Sequence, residues 1–381
     1  MIGRPASAPL RRALIGSDTS AIPTPALVID LAVLEANIRM LADRSRQQGI
    51  ALRPHVKTHK CSTLAAMQVA AGAIGLSCAT IDEAEVMAAA GLPGLLVTSP
   101  LVTRDKIDRL LALCRQHADI AVVADHPANV DALAAAVAAA DLTLRVFVDL
   151  DVGQRRTGTA TLENAVALAH RIAVSNALTL GGLQAYAGHL QHIVDRRDRE
   201  IQAQAAKQQV ARVRDAIGQA GFRLPAVTGS GTGTHDIDSY DTPFTELQAG
   251  SYVFMDEDYG RLAALDRDAW PFSVSLFVQT SFVSINVPGL ATTDAGTKAF
   301  ALNGPAPRVV TPPYADARYG FAGDEHGCIA LAAGSITPAL GTQLRCVVSH
   351  CDPTVSLYDR FYCVRDGAVV DVWPIDARGR R

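Results

Sequence analysis

Residues 120–149 read IAVVADHPANVDALAAAVAAADLTLRVFVD and form one strand–helix–strand unit. Short apolar runs at Ile120–Ala124 and Leu144–Asp149 predict buried strands. Between them, Pro127 begins an alanine-rich stretch that predicts a helix over Pro127–Ala140. Two strands joined by a helix in this way lie parallel in one sheet, and the helices cover that sheet. The unit therefore predicts an α/β fold.

The same alternation continues on both sides of this unit, from about residue 25 to residue 255. The apolar runs that predict strands are Leu27–Asp30, Leu52–Val56, Ile74–Cys78, Leu95–Thr98, Ile120–Ala124, Leu144–Asp149, Gly182–Tyr186, Ala226–Gly229 and Leu247–Phe254. Further helices are predicted over Leu31–Gln48 and Ile193–Ala220. Eight strand–helix units in about 230 residues favour a closed (β/α)8 barrel of the TIM type.

Nine strand candidates are one more than such a barrel needs, and we expect the first to lie outside it. No Gly-x-Gly-x-x-Gly follows that first strand, which argues against a dinucleotide-binding fold. The pattern then changes after about residue 263. Strands of alternating polarity are predicted at Phe272–Val283, Val309–Val310, Leu344–Val348, Arg360–Val364 and Val369–Val372.

Asp366-Gly367 separates the last two of these strands and favours a hairpin turn. We therefore predict two domains. The barrel domain covers residues 20–263, and a C-terminal all-β domain covers residues 264–381. Residues 1–19 are a candidate addition to the second domain.

Composition excludes several classes of partner. The 381 residues include 35 Lys and Arg against 38 Asp and Glu, so no excess positive charge favours nucleic acid. No apolar run approaches the roughly 20 residues that span a bilayer, and the N-terminus lacks the apolar core of a secretory signal. The seven cysteines are scattered without a Cys-x-x-Cys pair. This pattern disfavours a disulfide framework and predicts a cytoplasmic protein.

Two segments at predicted strand ends carry chemistry, because barrels hold their functional groups at the carboxyl ends of strands. Lys57 follows the second strand, and nearby Arg53 and Lys60 would lower its pKa and favour a nucleophilic amine. Its alternative is an ordinary surface lysine. Gly231-Thr232-Gly233 follows the eighth strand and favours a phosphate site, with a flexible turn as the alternative. A reactive lysine and a phosphate loop in one barrel mouth are what pyridoxal 5'-phosphate (PLP) requires.

A third segment, His350-Cys351-Asp352, lies in the predicted β domain. On a strand, His350 and Asp352 would point to the same face and could bind one divalent metal, Mn²⁺, Mg²⁺ or Zn²⁺. An exposed polar loop is the alternative. Asp324-Glu325-His326-Gly327 is a second polar cluster, which would line a cleft between the domains or form a turn.

Taken together, these segments resemble the alanine-racemase-like, fold-type III PLP enzymes. The resemblance is strongest to the branch of D-threonine aldolase, D-3-hydroxyaspartate aldolase and D-serine dehydratase, and it covers about residues 24–380. The matching motifs are Pro54-His55-Val56-Lys57-Thr58-His59-Lys60, Asp151-Val152-Gly153-Gln154, Gln184-Ala185-Tyr186, Gly231-Thr232-Gly233, Glu246-Leu247-Gln248-Ala249-Gly250-Ser251-Tyr252, Phe254-Met255-Asp256, Asp258-Tyr259-Gly260, Asp324-Glu325-His326-Gly327, His350-Cys351-Asp352-Pro353-Thr354, Val372-Trp373 and Ala377-Arg378-Gly379.

The resemblance implies a role for each matching residue. Lys57 would form the Schiff base with PLP, and Arg156 would lie near the phenolic oxygen of the cofactor. Tyr186 would lie against the pyridine ring. Gln248 falls where racemases place an arginine that faces the ring nitrogen, and a neutral partner there implies a less electron-withdrawing ring. The residues implied to hold the phosphate are Gly231, Thr232 and Gly233, with Gly250 and Tyr259 as further candidates.

The resemblance also implies the reaction. In this branch the aldolases resemble His-x-Asp and the dehydratases His-x-Cys, so His350-x-Asp352 favours an aldolase. The implied reaction cleaves a small-molecule D-3-hydroxy-amino acid, such as D-threonine, to glycine and an aldehyde. His192 is the candidate base, and a homodimer is expected. Cys78-Ala79-Thr80 stands where aldolases often have Cys-Gln-Lys, which leaves the substrate side chain open.

Three other functions stay open from sequence. A dehydratase on the same scaffold would expel the β-hydroxyl and yield a keto acid and ammonia. An amino-acid racemase would need a second acid or base, for which Tyr358 or Tyr362 would be invoked. A PLP-binding protein without activity is disfavoured, because such barrels usually lack the long C-terminal β segment.

Overall fold

The structure is a computed structural model that describes residues 14–265 and 270–379. The described chain falls into two compact units. The barrel unit contains Leu41–Lys57 and Leu64–Gly250, and the β unit contains residues 14–40, Thr58–Thr63 and Ser251–Gly379 without 266–269. The predicted domain boundary at 263–264 falls near the end of the helix Glu257–Leu265, and it stays a prediction. Of the segment 1–19 that was expected to join the β domain, residues 1–13 lie outside the described residues.

The barrel unit is an eight-stranded parallel sheet. Its strands are β2 (Ala51–Leu52), β3 (Leu76–Cys78), β4 (Leu95–Val97), β5 (Ile120–Ala124), β6 (Leu144–Asp149), β7 (Leu178–Ala185), β8 (Ala226–Gly229) and β9 (Glu246–Leu247). They pair in the order β2-β9-β8-β7-β6-β5-β4-β3, and a parallel bridge between His55 and Ser77 joins the two edges. The sheet is therefore closed, which confirms the predicted (β/α)8 barrel of the TIM type.

Helices alternate with the barrel strands. The α-helices up to β9 are Leu31–Gln48, Ser62–Ala70, Ile81–Ala89, Arg104–Gln116, Pro127–Ala139, Leu162–Ala173, Arg196–Gln219 and the short His235–Asp238. Side-chain caps fix several of their first turns. Asp195 accepts the N–H of Asp198 at 2.7 Å, so the last of the long helices begins at Arg196 and not at the predicted Ile193.

Two strand predictions were wrong over most of their length. Pro54 has no N–H for a sheet, and the chain forms a 3-10 turn over Val56–Thr58, so β2 is short. The predicted strand Leu247–Phe254 ends at Leu247, and Ser251–Val253 forms another 3-10 turn. This turn is fully buried, and a buried turn has the same continuous apolar sequence as a buried strand.

The β unit contains a nine-stranded sheet in the order β11-β14-β13-β12-β15-β10-β1-β16-β17. Its strands are β1 (Ala26–Asp30), β10 (Leu276–Val287), β11 (Leu290–Thr293), β12 (Arg308–Val309), β13 (Arg318–Phe321), β14 (Gly327–Ala330), β15 (Gln343–Val347), β16 (Arg360–Arg365) and β17 (Ala368–Pro374). Strand β1 pairs with β10 and β16, which confirms that the first strand lies outside the barrel.

The predicted hairpin at Asp366-Gly367 is confirmed. Both residues have positive φ, 50° and 79°, as a tight turn of this kind requires, and they join β16 to β17. The helices Glu257–Leu265 and Cys351–Val355 complete the unit. Within the described ranges, every helix is too short or too polar to cross a membrane.

Candidate active site

Lys57 lies just beyond β2, at the carboxyl end of the barrel strands. His55 holds the turn that carries it: the His55 Nδ1 accepts the main-chain N–H of Lys57 at 3.3 Å, and its Nε2 lies 3.1 Å from Thr98 Oγ1. The Thr98 hydroxyl donates its one hydrogen to the Cys78 carbonyl at 3.1 Å, so it accepts a hydrogen from His55. His55 is therefore a neutral ring with its hydrogen on Nε2, and it positions the main chain of Lys57.

The expected cationic surroundings of Lys57 are only partly present. Arg53 forms two hydrogen bonds with the carboxylate of Glu246, at 2.8 and 3.0 Å, and both side chains are largely buried. The positive charge of Arg53 is thus compensated by an acidic partner on the neighbouring strand β9. Arg53 therefore does not supply the repulsion that the sequence interpretation assigned to it.

The glycine-rich loop follows β8 and is buried throughout. Ser230 adopts φ 72°, a strained backbone conformation that is common at functional turns. Gln191, which the sequence analysis did not identify, forms side-chain hydrogen bonds with this loop. Its Oε1 accepts the N–H of Gly233 at 2.8 Å, and its Nε2 donates to Ala187 O at 3.1 Å and Thr234 Oγ1 at 3.0 Å. The Gly233 N–H is thus engaged by Gln191, so its implied contact with a phosphate is not supported by this geometry.

Gly233 leaves no room for a side chain, because a Cβ at this position would lie 2.1 Å from the Gln191 carbonyl oxygen. We expect Gly233→Ala to destabilise the protein by about 1–3 kcal/mol and to weaken PLP binding, since the loop must move. Gly218→Ala is the matched control: Gly218 lies in the helix Arg196–Gln219 with no atom within 4 Å of an added Cβ. It should be neutral or stabilise by up to about 1 kcal/mol. Thermal unfolding and PLP titration measure both changes, and equal effects of the two substitutions would contradict this account.

Tyr186 and Arg156 lie together. Tyr186 directly follows β7, and the guanidinium carbon of the exposed Arg156 lies 5.6 Å from the centre of its ring. This distance is that of a cation–π contact. His192 lies in the turn after the 3-10 segment Gly188–Leu190, next to Gln191, and it is exposed. It lies on a turn rather than on the face of a helix.

Gln248 and Gly250 follow β9 and are buried. The Nε2 group of Gln248 donates to Gln184 Oε1 at 3.3 Å and to Thr228 Oγ1 at 3.0 Å. Gln184 in turn donates to Asp149 Oδ1 at 3.0 Å. These partners were visible in sequence only as polar residues at strand ends.

Four neighbouring strands carry the residues that a PLP site needs. In the order β2-β9-β8-β7 they lead to Lys57, Gln248, the loop Gly231–Gly233 and Tyr186. An amine, an amide, a glycine loop with hydroxyls and an aromatic ring match the aldehyde, ring and phosphate of the cofactor. The donor set of the barrel unit therefore fits PLP.

The remaining predicted residues belong to the β unit. The sequence interpretation placed His350 on a strand. In the structure, His350 instead caps the short helix Cys351–Val355, which contains Asp352. Strand alternation therefore cannot be what orients the two side chains. His350 Nδ1 lies 2.9 Å from Asn303 Nδ2, and Asp352 Oδ1 accepts from Ser251 Oγ at 3.3 Å. Tyr259 is buried in the helix Glu257–Leu265, with its ring 5.9 Å from that of Trp270.

Asp256, which the sequence analysis named in a motif without a role, accepts hydrogen bonds at the start of the helix that His350 caps. Its carboxylate accepts the N–H of Cys351 at 2.8 Å and the N–H of Tyr259 at 2.9 Å. Burial raises the pKa of this carboxyl, and these hydrogen bonds act in the opposite direction.

Candidate metal ligands are sparse in the part of the chain that the structure describes. Across residues 14–265 and 270–379, no three or more His, Cys, Asp or Glu side chains are grouped to hold a metal ion. An imidazole and a carboxylate fit an ion that keeps several water or substrate ligands, such as Mg²⁺ or Mn²⁺, and Zn²⁺ accepts the same donors. In the Asp324–Gly327 cluster, residues 324–326 form an exposed turn between β13 and β14, and Gly327 is the buried first residue of β14. Glu325 pairs with Lys298 at 2.5 Å.

Comparisons with known proteins agree with this geometry. The alanine racemase N-terminal domain matches residues 29–258, and a serine dehydratase domain matches residues 275–364. The chain is 37% identical to a 3-hydroxy-D-aspartate aldolase of Paracoccus denitrificans (strain Pd 1222) over 97% of this chain and 95% of that protein. It is 36% identical to a D-threonine aldolase of an Arthrobacter species over 96% of this chain and 95% of that protein.

A solved structure is also similar over nearly the full length. The crystal structure of D-threonine aldolase from Filomicrobium marinum matches with a TM-score of 0.92 and 35% identity, over 96% of this chain and 98% of that one. The family model, the relatives and the solved structure thus agree with one another over nearly the full length of the chain. The chain therefore belongs to the alanine-racemase-like, fold-type III family of PLP enzymes, in the branch of the D-threonine and 3-hydroxy-D-aspartate aldolases.

Proposed function

We propose that this enzyme cleaves D-3-hydroxy-amino acids to glycine and an aldehyde by a retro-aldol reaction, with PLP at Lys57 and a divalent metal at His350 and Asp352. The observation that carries the proposal is the arrangement of Lys57, Gln248, the glycine loop and Tyr186 on four neighbouring strands. The full-length similarity to aldolases supports the choice of reaction.

The reaction breaks the Cα–Cβ bond of the substrate and forms a carbonyl at Cβ. PLP, when bound, supplies an electron sink for the pair released at Cα. We assign the proton of the β-hydroxyl to His192 as general base, since an imidazole nitrogen accepts a proton and this side chain is exposed. Lys57 returns a proton to Cα, so that glycine leaves with its atoms and electrons in balance.

The other residues bind and orient. Tyr186 supports the pyridine ring, Arg156 neutralises its phenolic oxygen, and Gln248 faces its nitrogen. Gly231, Thr232 and Gly250 surround the phosphate by main-chain and hydroxyl groups, with Gly233 and Tyr259 assigned a supporting part. A metal at His350 and Asp352 supplies positive charge that lowers the pKa of the substrate hydroxyl. Asn303 and Ser251 would orient these two ligands.

A product assay tests the reaction against its alternatives. We expect D-threonine or 3-hydroxy-D-aspartate to yield aldehyde and glycine in equal amounts, the L-isomers to yield none, and a chelator to stop the reaction. Both substrates belong in the panel, together with D-serine. A keto acid with ammonia would instead indicate a dehydratase, and loss of optical rotation without fragmentation would indicate a racemase.

We also propose a homodimer in the cytoplasm. Five of the seven cysteines are buried, and the scattered pattern of all seven suits a reducing compartment. The similarity to the family supports the dimer. Sedimentation equilibrium of the PLP-loaded protein measures the mass of the assembly directly.

A further inference from the structure

A chain of hydrogen bonds crosses the barrel interior at the carboxyl ends of its strands. Asp149, Gln184, Thr228 and Gln248 are all buried, and each lies at the carboxyl end of a different strand from β6 to β9. Thr157 donates to Asp149 Oδ2 at 2.8 Å and closes the chain at one end. Gln248 forms the other end.

Backbone chemistry fixes the direction of the Gln184 amide. Its Nε2 lies 3.2 Å from the carbonyl oxygen of Thr98, which accepts hydrogen bonds and cannot donate them. The second hydrogen of this amide goes to Asp149 Oδ1 at 3.0 Å. Burial raises the pKa of the Asp149 carboxyl. Whether this carboxyl is charged or neutral, the Thr98 carbonyl oxygen still requires a donor, so the Gln184 Nε2 faces Thr98 and Asp149. Gln184 therefore presents its Oε1 to Gln248.

The direction of the Gln248 amide follows. Its Nε2 carries two hydrogens, and these go to Gln184 Oε1 at 3.3 Å and to Thr228 Oγ1 at 3.0 Å. If the Gln248 amide were turned over, its Oε1 would face the Gln184 Oε1, and two acceptors would meet in a buried site without a hydrogen between them. Gln248 thus has only its oxygen left for a ligand, and this oxygen accepts hydrogen bonds.

We infer that Gln248 holds the pyridine nitrogen of bound PLP in its protonated form; this rests on the PLP site proposed above. Strand β9 lies between the strands that lead to Lys57 and to the glycine loop, so a cofactor joined to both extends past Gln248. The Gln248 oxygen is an acceptor, so it would repel the phenolic oxygen of the cofactor. It would form a hydrogen bond with the ring nitrogen only if that nitrogen carries a hydrogen. A protonated ring is the stronger electron sink, so the expectation of a less electron-withdrawing ring is reversed. Gln184 is a positioning residue for Gln248.

Nitrogen-15 NMR of the holoenzyme, loaded with ring-labelled PLP, tests this inference without an activity measurement. We expect the chemical shift and one-bond N–H coupling of a pyridinium in the wild-type protein. Bound cofactor with an unprotonated nitrogen would overturn the inference and leave the proposed function intact. Protein that takes up no PLP at all would overturn both.

Substitutions assign the signal to Gln248. Gln248→Glu keeps an acceptor and should keep the N–H coupling, whereas Gln248→Met should lose it. Gln184→Met frees the Gln248 amide to turn and should reduce the protonated fraction at least several-fold. Thr157→Val is the control, since it removes one bond to Asp149 without changing the direction of either amide. An N–H coupling that survives in Gln248→Met would show that another group holds the proton, and the inference would fail.

Discussion

Replacing Lys57 by alanine is expected to remove the visible absorbance of the bound cofactor and to lower cleavage of D-3-hydroxy-amino acids on the order of 10⁴-fold or more. Lys57 is assigned two tasks, covalent attachment of PLP and return of a proton to Cα, and one substitution removes both. Its turn should persist, because His55 accepts the main-chain N–H of residue 57, which the substitution keeps.

Two further variants make this experiment specific. Lys57→Arg keeps the positive charge but offers no amine for a Schiff base, so it should be as inactive as alanine. Lys106→Ala removes an exposed lysine from the helix Arg104–Gln116 and should behave as wild type. Borohydride reduction should attach the cofactor to the peptide that contains residue 57. Cleavage by Lys57→Ala at a normal rate, or reduction at another lysine, would refute the assignment.

The barrel could be predicted from sequence because its signal is repeated and local. Each buried parallel strand is a short apolar run between longer amphipathic stretches, and the helix Leu31–Gln48 was predicted with the bounds it has. Prediction failed where a buried segment has a backbone conformation other than a strand. Ser251–Val253 has the apolar sequence of a buried strand and forms a turn.

The candidate site was predictable to the extent that its residues are chemically unusual. A lysine at a strand end and a glycine-rich loop stand out in the sequence, and both lie at the carboxyl ends of barrel strands that are separated by only one strand, β9. Gln191 does not stand out, since its role depends on Gly233 and Thr234 some forty residues away. The direction of the Gln248 amide likewise depends on a main-chain carbonyl, that of Thr98, which no side-chain pattern records.

The metal pair shows the same limit. Spacing alone placed His350 and Asp352 on one face of a strand, but Asp256 accepts the Cys351 N–H and a helix begins at that point. A carboxylate almost a hundred residues earlier thus decides the local structure. The chemical reason for choosing these residues, an imidazole and a carboxylate one residue apart, is unaffected by this correction.

Replacing His350 or Asp352 by alanine is expected to lower metal-activated cleavage at least about 100-fold, while the visible absorbance of bound PLP stays unchanged. The reason is electrostatic: without a bound cation, the β-hydroxyl of the substrate keeps the high pKa of an alcohol and gives up its proton slowly. His350→Ala should still fold. The contacts that tie His350 to its helix come from its main-chain carbonyl, which accepts from the Thr354 hydroxyl at 2.7 Å.

His326→Ala is the matched control, because His326 lies in an exposed turn of the same unit and is assigned no ligand role. Each protein is stripped with a chelator and then titrated with Mn²⁺, Mg²⁺ or Zn²⁺, and both cleavage and bound metal are measured. Wild type and His326→Ala should recover with the same metal dependence, and His350→Ala should bind less metal at every concentration. If His350→Ala cleaved D-threonine at the wild-type rate in the presence of chelator, the metal would have no part in the reaction. If it bound metal as wild type does and was still inactive, His350 would act on the substrate itself and not through the cation.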